Sequence, residues 1–224
     1  NIDLTMNGDS LADIIFQPVG GIPSGGGVDA TFHAIDQTYV TTEDSDLWAV
    51  SNLIQGPGVG FNASAPYEKL IGGADGNWVT DAPGGYPSDY IEVAGAPVID
   101  LDLGADVALG EISIWGYDDG NANGGSEVSL RFATDAEGFA GYGQSITYNP
   151  TFTLTQGIAT ERQSSLFSET VTARYVEVTV LDNFYLAPGD GSEGGKAGGD
   201  RVGLGEIAFQ SNVSDTAGGG GAAI

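Results

Sequence analysis

The chain has no cysteine, one histidine (His33) and only 6 Lys+Arg among 224 residues. Without thiols there is no disulfide framework, no thiolate metal site, no haem attachment and no cysteine nucleophile. One imidazole leaves no histidine-based zinc cluster and no His–His relay, so hydrolytic chemistry would rest on carboxylates alone. Long apolar runs are missing too. No stretch approaches the roughly 18 residues that a bilayer-spanning helix needs, so membrane insertion of the chain is not expected.

What is abundant is acid and glycine. Asp+Glu number 31, the formal net charge is -25, and 37 residues are glycine. Such a surface repels phosphate backbones and anionic headgroups, which makes nucleic acid a poor partner. It suits cation binding, high salt or life outside the cell, and it also keeps a protein soluble. The first residue is Asn1 rather than Met, which fits a secreted chain whose leader has been removed, or equally a chain trimmed in another way.

The glycines follow no fixed period, which excludes a collagen-like chain. Between them lie short runs that alternate apolar and polar residues, the period of a half-buried strand. Ile99-Asp100-Leu101-Asp102-Leu103, Glu111-Ile112-Ser113-Ile114-Trp115, Val128-Ser129-Leu130-Arg131-Phe132 and Val176-Glu177-Val178-Thr179-Val180 all read this way. No segment of about a dozen residues keeps a helical period. The pattern predicts an all-β protein, an antiparallel β-sandwich of two sheets packed face to face.

Three regions are expected. Residues 1–37 form an N-terminal extension with strand-like pieces at Ile2–Leu4 and Ile14–Phe16 and a Pro-Ser-Gly-Gly-Gly stretch at 23–27. Residues 38–210 form the sandwich. Residues 211–224 form a glycine-rich tail, disordered by composition unless a neighbouring subunit ties it down. An extension of this kind can add a strand to a neighbour's sheet edge.

Several pieces, in order over roughly residues 40–210, resemble the discoidin (coagulation factor type C) family. Ala49-Val50-Ser51-Asn52-Leu53-Ile54 is similar to its early Asn–apolar–Ile segment, and Trp78 stands where a tryptophan follows the first Asp-Gly. Ile99–Gly104 and Ile112-Ser113-Ile114-Trp115-Gly116 are similar to two successive strands. Ala173-Arg174-Tyr175-Val176-Glu177-Val178 and Gly203-Leu204-Gly205-Glu206-Ile207-Ala208-Phe209 are similar to the last two. The nearest likeness is to discoidin-like domains of bacterial surface proteins with an exosortase signal, where a Pro-Glu-Pro motif and a short anchor follow the domain.

The resemblance implies a jelly-roll, galactose-binding-domain-like sandwich at the bacterial surface or secreted, a non-catalytic module that binds glycans through loops at one end. It also implies a structural Ca²⁺ between the early Asn-containing loop and the Glu of the last strand, here Asn52 and Glu206, with Gln55 where the family usually has an Asp. The phase change from Leu204 to Ile207 reads as a bulge at Gly205-Glu206 that aims this carboxylate. Without an ion, the Glu would instead cap a loop by hydrogen bonds.

A second candidate ion site needs no resemblance. Asp119, Asn121 and Asn123 followed by Gly124 reproduce half of a calcium-loop pattern, but Leu130 stands where the closing Glu is needed. A plain polar hairpin is the alternative.

For ligand contact, Trp78, Tyr86, Tyr90, Tyr117, Phe184 and Tyr185 lie beside Asn77, Asp81, Asp118, Asn183 and Asp200. From these, Trp78, Tyr117, Asp118, Asn183 and Tyr185 make up the expected sugar site, the alternative being that they cover the sandwich ends. Trp115 belongs to a packed strand, and Arg131, Arg174 and Arg201 are expected to pair with carboxylates. Asp100 and Asp102 point the same way from one strand and read as a solvated face, not as a glycosidase pair. Asn62-Ala63-Ser64 and Asn212-Val213-Ser214 match glycosylation acceptors. Two functions follow: a calcium-stabilised extracellular glycan-binding module, or a self-assembling subunit of a filament or surface layer.

Overall fold

The computed structural model describes residues 31–211, except 41, 44, 45, 188 and 190–194. The strands are β1 (Phe32–His33), β2 (Gln37–Val40), β3 (Trp78–Val79), β4 (Val98–Trp115), β5 (Gly125–Ala133), β6 (Thr151–Thr153), β7 (Gln163–Asn183), β8 (Gly203–Leu204) and β9 (Glu206–Gln210). The four alternating runs all fall inside β4, β5 and β7. A short α-helix, α1 (Tyr90–Ala94), is capped by Asp89, whose carboxylate accepts the Ile91 and Glu92 N–H groups.

Hydrogen bonding runs β1-β9-β4-β7-β5-β6, with β2 on β4 and a separate β3-β8 pair. All named strand pairs are antiparallel. The two long strands serve both layers. Residues Ile99–Asp102 of β4 pair with β2 and with Tyr175–Val178 of β7, whereas Glu111–Ile114 pair with β9 and with Gln163–Leu166. Between the halves the register shifts twice, between Asp102 and Val107 and between Leu109 and Glu111. Gly104 turns there at φ 77°, a left-handed value that glycine adopts without penalty. Bulges of this kind let a strand leave one sheet and enter the other.

Folding the long strands over brings Ile99 and Leu101 from the first half against Ile112 and Ile114 from the second. Val128, Leu130, Phe132, Val176, Val178, Ile207 and Phe209 complete the buried core. A smaller cluster of Phe61, Tyr67, Trp115 and Ala208 closes the outer side of the second layer. Trp115 stacks on Phe61 at 4.3 Å between ring centres and donates from Nε1 to Tyr67 O at 2.8 Å. Its packed role is as the strand pattern implies.

The sandwich starts earlier than residue 38, because β1 pairs with β9 and β2 opens at Gln37. The segments Ile2–Leu4 and Ile14–Phe16 and the glycine tail lie outside the described residues. No helix among the described residues is long and apolar enough to cross a membrane.

The carboxylates on β4 differ from expectation. Asp102 is 7% exposed and clasped by Arg174, while Asp100 is half-buried with an oxygen that has no hydrogen-bond partner. The segment 134–145 folds over this face, with Tyr142 standing by Asp100 and Arg131. It is a covered ionic face, not a solvated one. Arg131 and Arg174 pair as expected: Arg131 grips Glu177 at 2.6 and 2.8 Å, and Arg174 also reaches Asp135, whereas Arg201 donates from Nη1 to Thr80 O at 3.1 Å.

Candidate functional site

Two loop-built features sit where β3, β4, β8 and β9 end. The first is a corner around Glu206. Gly205 N donates to Trp115 O at 2.9 Å and separates β8 from β9, so the expected irregularity at Gly205-Glu206 is a strand break. A side chain at Gly205 would overlap Lys69 Nζ and Gly116 O, and one at Gly60 would overlap Glu206 Oε2. Both glycines are there because charged groups come against bare backbone.

Glu206 is 1% exposed, and its Oε1 accepts Gly56 N at 2.8 Å. Burial pushes its carboxyl up to about 7, against the opposing pull of the Gly56 N–H and the Lys69 charge. Lys69 donates to Asn77 Oδ1 and, at 3.4 Å, to Gly116 O. Burial lowers its ammonium to about 8, while Glu206 and Asp118 hold it up.

Asn52 donates from Nδ2 to Ala74 O at 2.7 Å, Asn77 O at 3.0 Å and Leu47 O at 3.3 Å. Gln55 donates from Nε2 to Asp75 O at 2.7 Å, and Asn77 Nδ2 to Gly73 O at 2.7 Å. The expected trio of Asn52, Gln55 and Glu206 is thus brought to one corner, but its amides present hydrogens to the 73–77 turn. Ca²⁺ takes about six to eight oxygens. Here the buried side-chain oxygens without a partner are Gln55 Oε1 and Glu206 Oε2. Among the described residues no group of three or more His, Cys, Asp or Glu is placed to hold a metal. With its amides turned this way, the corner leaves two side-chain oxygens free, fewer than a calcium ion takes.

The second ion candidate fares similarly. Asp119 Oδ1 accepts Ala159 N, Asn121 Oδ1 accepts Asn123 N at 2.9 Å, and Asn123 Oδ1 accepts Gly199 N at 2.6 Å. These oxygens point to three separate partners. The segment 116–124 is not a hairpin either, since β4 and β5 both pair with β7, which lies between them.

The second feature is a groove of about 290 Å³ lined by Lys69–Gly73, Tyr117, Asp118, Asp119, Ala159 and Thr160. Tyr117 packs beside Gly203 and meets Trp48 with ring centres 5.8 Å apart. Asp118 and Asp119 are exposed, each held through Oδ1 by a backbone N–H, of Gly120 and Ala159 respectively. The groove therefore offers an aromatic ring and two positioned carboxylates.

Of the expected sugar-binding residues, Tyr117 and Asp118 are in this groove. Trp78 is not: it is fully buried on β3 in the main core and donates to Thr42 O at 3.1 Å. Asn183 is 4% exposed, and its side chain binds Gly199 O, Arg201 O and Tyr185 N. Tyr185 packs over Gly189 and Gly199. These three hold loops and cores together. The residue that sequence reasoning missed is Lys69, although a lysine in a chain this poor in cations is itself a signal.

No protein-family model matches the chain, and no curated protein matches it. Solved structures do. A family 32 carbohydrate-binding module of a family 31 glycoside hydrolase from Clostridium perfringens aligns at 15% identity and TM-score 0.53, covering 85% of this chain and 99% of that one. This chain has the discoidin-like, galactose-binding-domain-like fold. The lectin domain of lectinolysin, solved with Lewis B antigen, aligns at 16% identity and TM-score 0.48 over 78% of this chain and 92% of its own. The family 32 module of AlyQ, solved with 4,5-unsaturated mannuronic acid, aligns at 16% identity and TM-score 0.46 over 80% and 97%.

Proposed function

We propose that this chain is a non-catalytic, extracellular glycan-binding module whose ligand seat is the groove between Lys69–Gly73 and Tyr117–Asp119. The observation that carries the reading is the meeting of Tyr117 with Asp118 and Asp119 in one open groove on the sandwich end. An aromatic ring covers the C–H surface of a pyranose, and fixed carboxylates accept its hydroxyl protons. Small-ligand sites combine an apolar contact with a few placed polar groups in this way.

Charge narrows the ligand. Two groove carboxylates on a chain of net charge -25 repel uronic and sialic acids. Neutral hexoses and amino sugars suit it. Self-assembly, the other reading of the sequence, rests on the extension 1–37 and the tail 211–224, of which residues 1–30 and 212–224 lie outside the described residues.

A glycan array followed by calorimetry tests the proposal. Binding to neutral or amino-sugar glycans, weakened by Tyr117→Ala or Asp118→Ala in a normally folded protein, is expected. A folded protein that binds no glycan on a broad array overturns it.

A further inference from the structure

The corner around Glu206 asks for a cation and already contains one. Glu206 Oε2 and Gln55 Oε1 are buried acceptors without hydrogen-bond partners, so negative charge and lone pairs face this corner. The surrounding oxygens are otherwise in use. Gly73 O, Ala74 O, Asp75 O, Asn77 O, Asn77 Oδ1 and Gly116 O each accept from a side-chain N–H of Asn52, Gln55, Lys69 or Asn77. Without an ion in the corner, the Asn52 amide turns Nδ2 to the Leu47, Ala74 and Asn77 carbonyls, because its oxygen in that place would face all three.

We propose that the Lys69 ammonium is the resident cation of this corner, standing in for a calcium ion and leaving the module independent of calcium. Lys69 is fixed from both directions. Its backbone N–H donates to Thr160 O at 2.9 Å and its strand-like bridge to Phe61 sets the stem. At the far end Nζ is held by Asn77 Oδ1 and Gly116 O, and the missing side chain of Gly205 leaves it room.

Its charge acts on Glu206 through space, and Gly60 is bare where the carboxylate approaches. Two glycines thus make space for one charge each. A divalent ion would have to displace the Asn52, Gln55 and Lys69 donors from the turn oxygens before it gained its oxygen shell. It would also sit beside a positive charge already in place.

The inference is independent of the glycan reading, because it concerns stability and can be tested with no sugar present. The experiment uses the full chain, as wild type, Lys69→Met, Glu206→Gln and the double variant. Thermal unfolding is followed in chelator and in millimolar CaCl2, with calorimetric titration of CaCl2 into the wild type. The wild-type midpoint should be the same in both buffers, and the titration should show no saturable one-to-one binding.

Lys69→Met should lower the midpoint by roughly 10 °C, since it removes the nearby positive charge from a buried carboxylate and leaves Asn77 Oδ1 without its donor. Adding Glu206→Gln should recover part of that loss, a non-additive pair. Saturable calcium binding with a lower wild-type midpoint in chelator overturns the proposal, as does a Lys69→Met chain as stable as wild type. If Lys69→Met does not fold, the wild-type titration decides alone.

Discussion

Arg174 clasps Asp102 through both carboxylate oxygens, Nε to Oδ1 at 2.8 Å and Nη2 to Oδ2 at 2.9 Å, while lying over the ring of Tyr175. The clasp sits where β4 bends between layers, since Asp102 also accepts Gly104 N at 2.8 Å. The guanidinium hydrogen bonds hold the Asp102 carboxyl below its ordinary value of 3.8. A depressed carboxylate contributes stability that is complete above the ordinary value and is lost as pH falls through the lowered one. Asp102→Asn should therefore lower the urea midpoint at neutral pH and leave less stability to lose on acidification. Urea melts from neutral pH to below the ordinary carboxylate range check this; parallel curves for the two proteins would refute it.

Gly60 predicts a second cost. A methyl group there would overlap Glu206 Oε2 and stand 3.1 Å from Gln55 Cβ. Glu206 is buried and tied to Gly56 N, so the added atom must push the carboxylate off this hydrogen bond or shift the backbone. Gly60→Ala should destabilise by about 1–3 kcal/mol, the usual range for overpacking. Equilibrium denaturation measures it, with Gly72→Ala as the control, because that position has open space around it.

The outer cluster gives a third. Phe61 is fully buried and its ring lies nearly parallel to that of Trp115. Phe61→Ala should cost about 3–5 kcal/mol through lost burial and a cavity that the rigid sheet cannot close. The Trp115 near-ultraviolet signal should change with it. An unchanged denaturation midpoint would mean that this cluster is dispensable.

How much of this was legible depends on periodicity. The cores of β4, β5 and β7 announce themselves because alternate residues bury, as Val128, Leu130 and Phe132 do. The continuity of β4 across Gly104 is not legible, because a bulge breaks the period exactly where the strand changes sheets. Trp78 sits on a two-residue strand, too short to carry any period, and its flanking Asp-Gly-Asn reads as loop. Asn52, Gln55 and Glu206 meet as the family likeness implied, but which way an amide turns depends on neighbours more than twenty residues away, such as Ala74. Spacing along the chain cannot encode that.

The groove separates two tryptophan and tyrosine positions that look equivalent in sequence. Trp78 is enclosed and its Nε1 is used by Thr42 O, so Trp78→Phe should lower stability by about 1–3 kcal/mol and leave glycan affinity within twofold, roughly the scatter of such measurements. Tyr117 lines the groove, and Tyr117→Ala removes the ring that a sugar would stack on. Its affinity loss should be about tenfold, corresponding to ~1.4 kcal/mol for one aromatic contact. Some stability is lost as well, since the ring also packs by Gly203, so affinity must be read at a temperature where both variants are folded. Calorimetry with the best array ligand then gives opposite patterns for the two variants. If Trp78→Phe abolishes binding while Tyr117→Ala spares it, the ligand seat lies elsewhere on the sandwich.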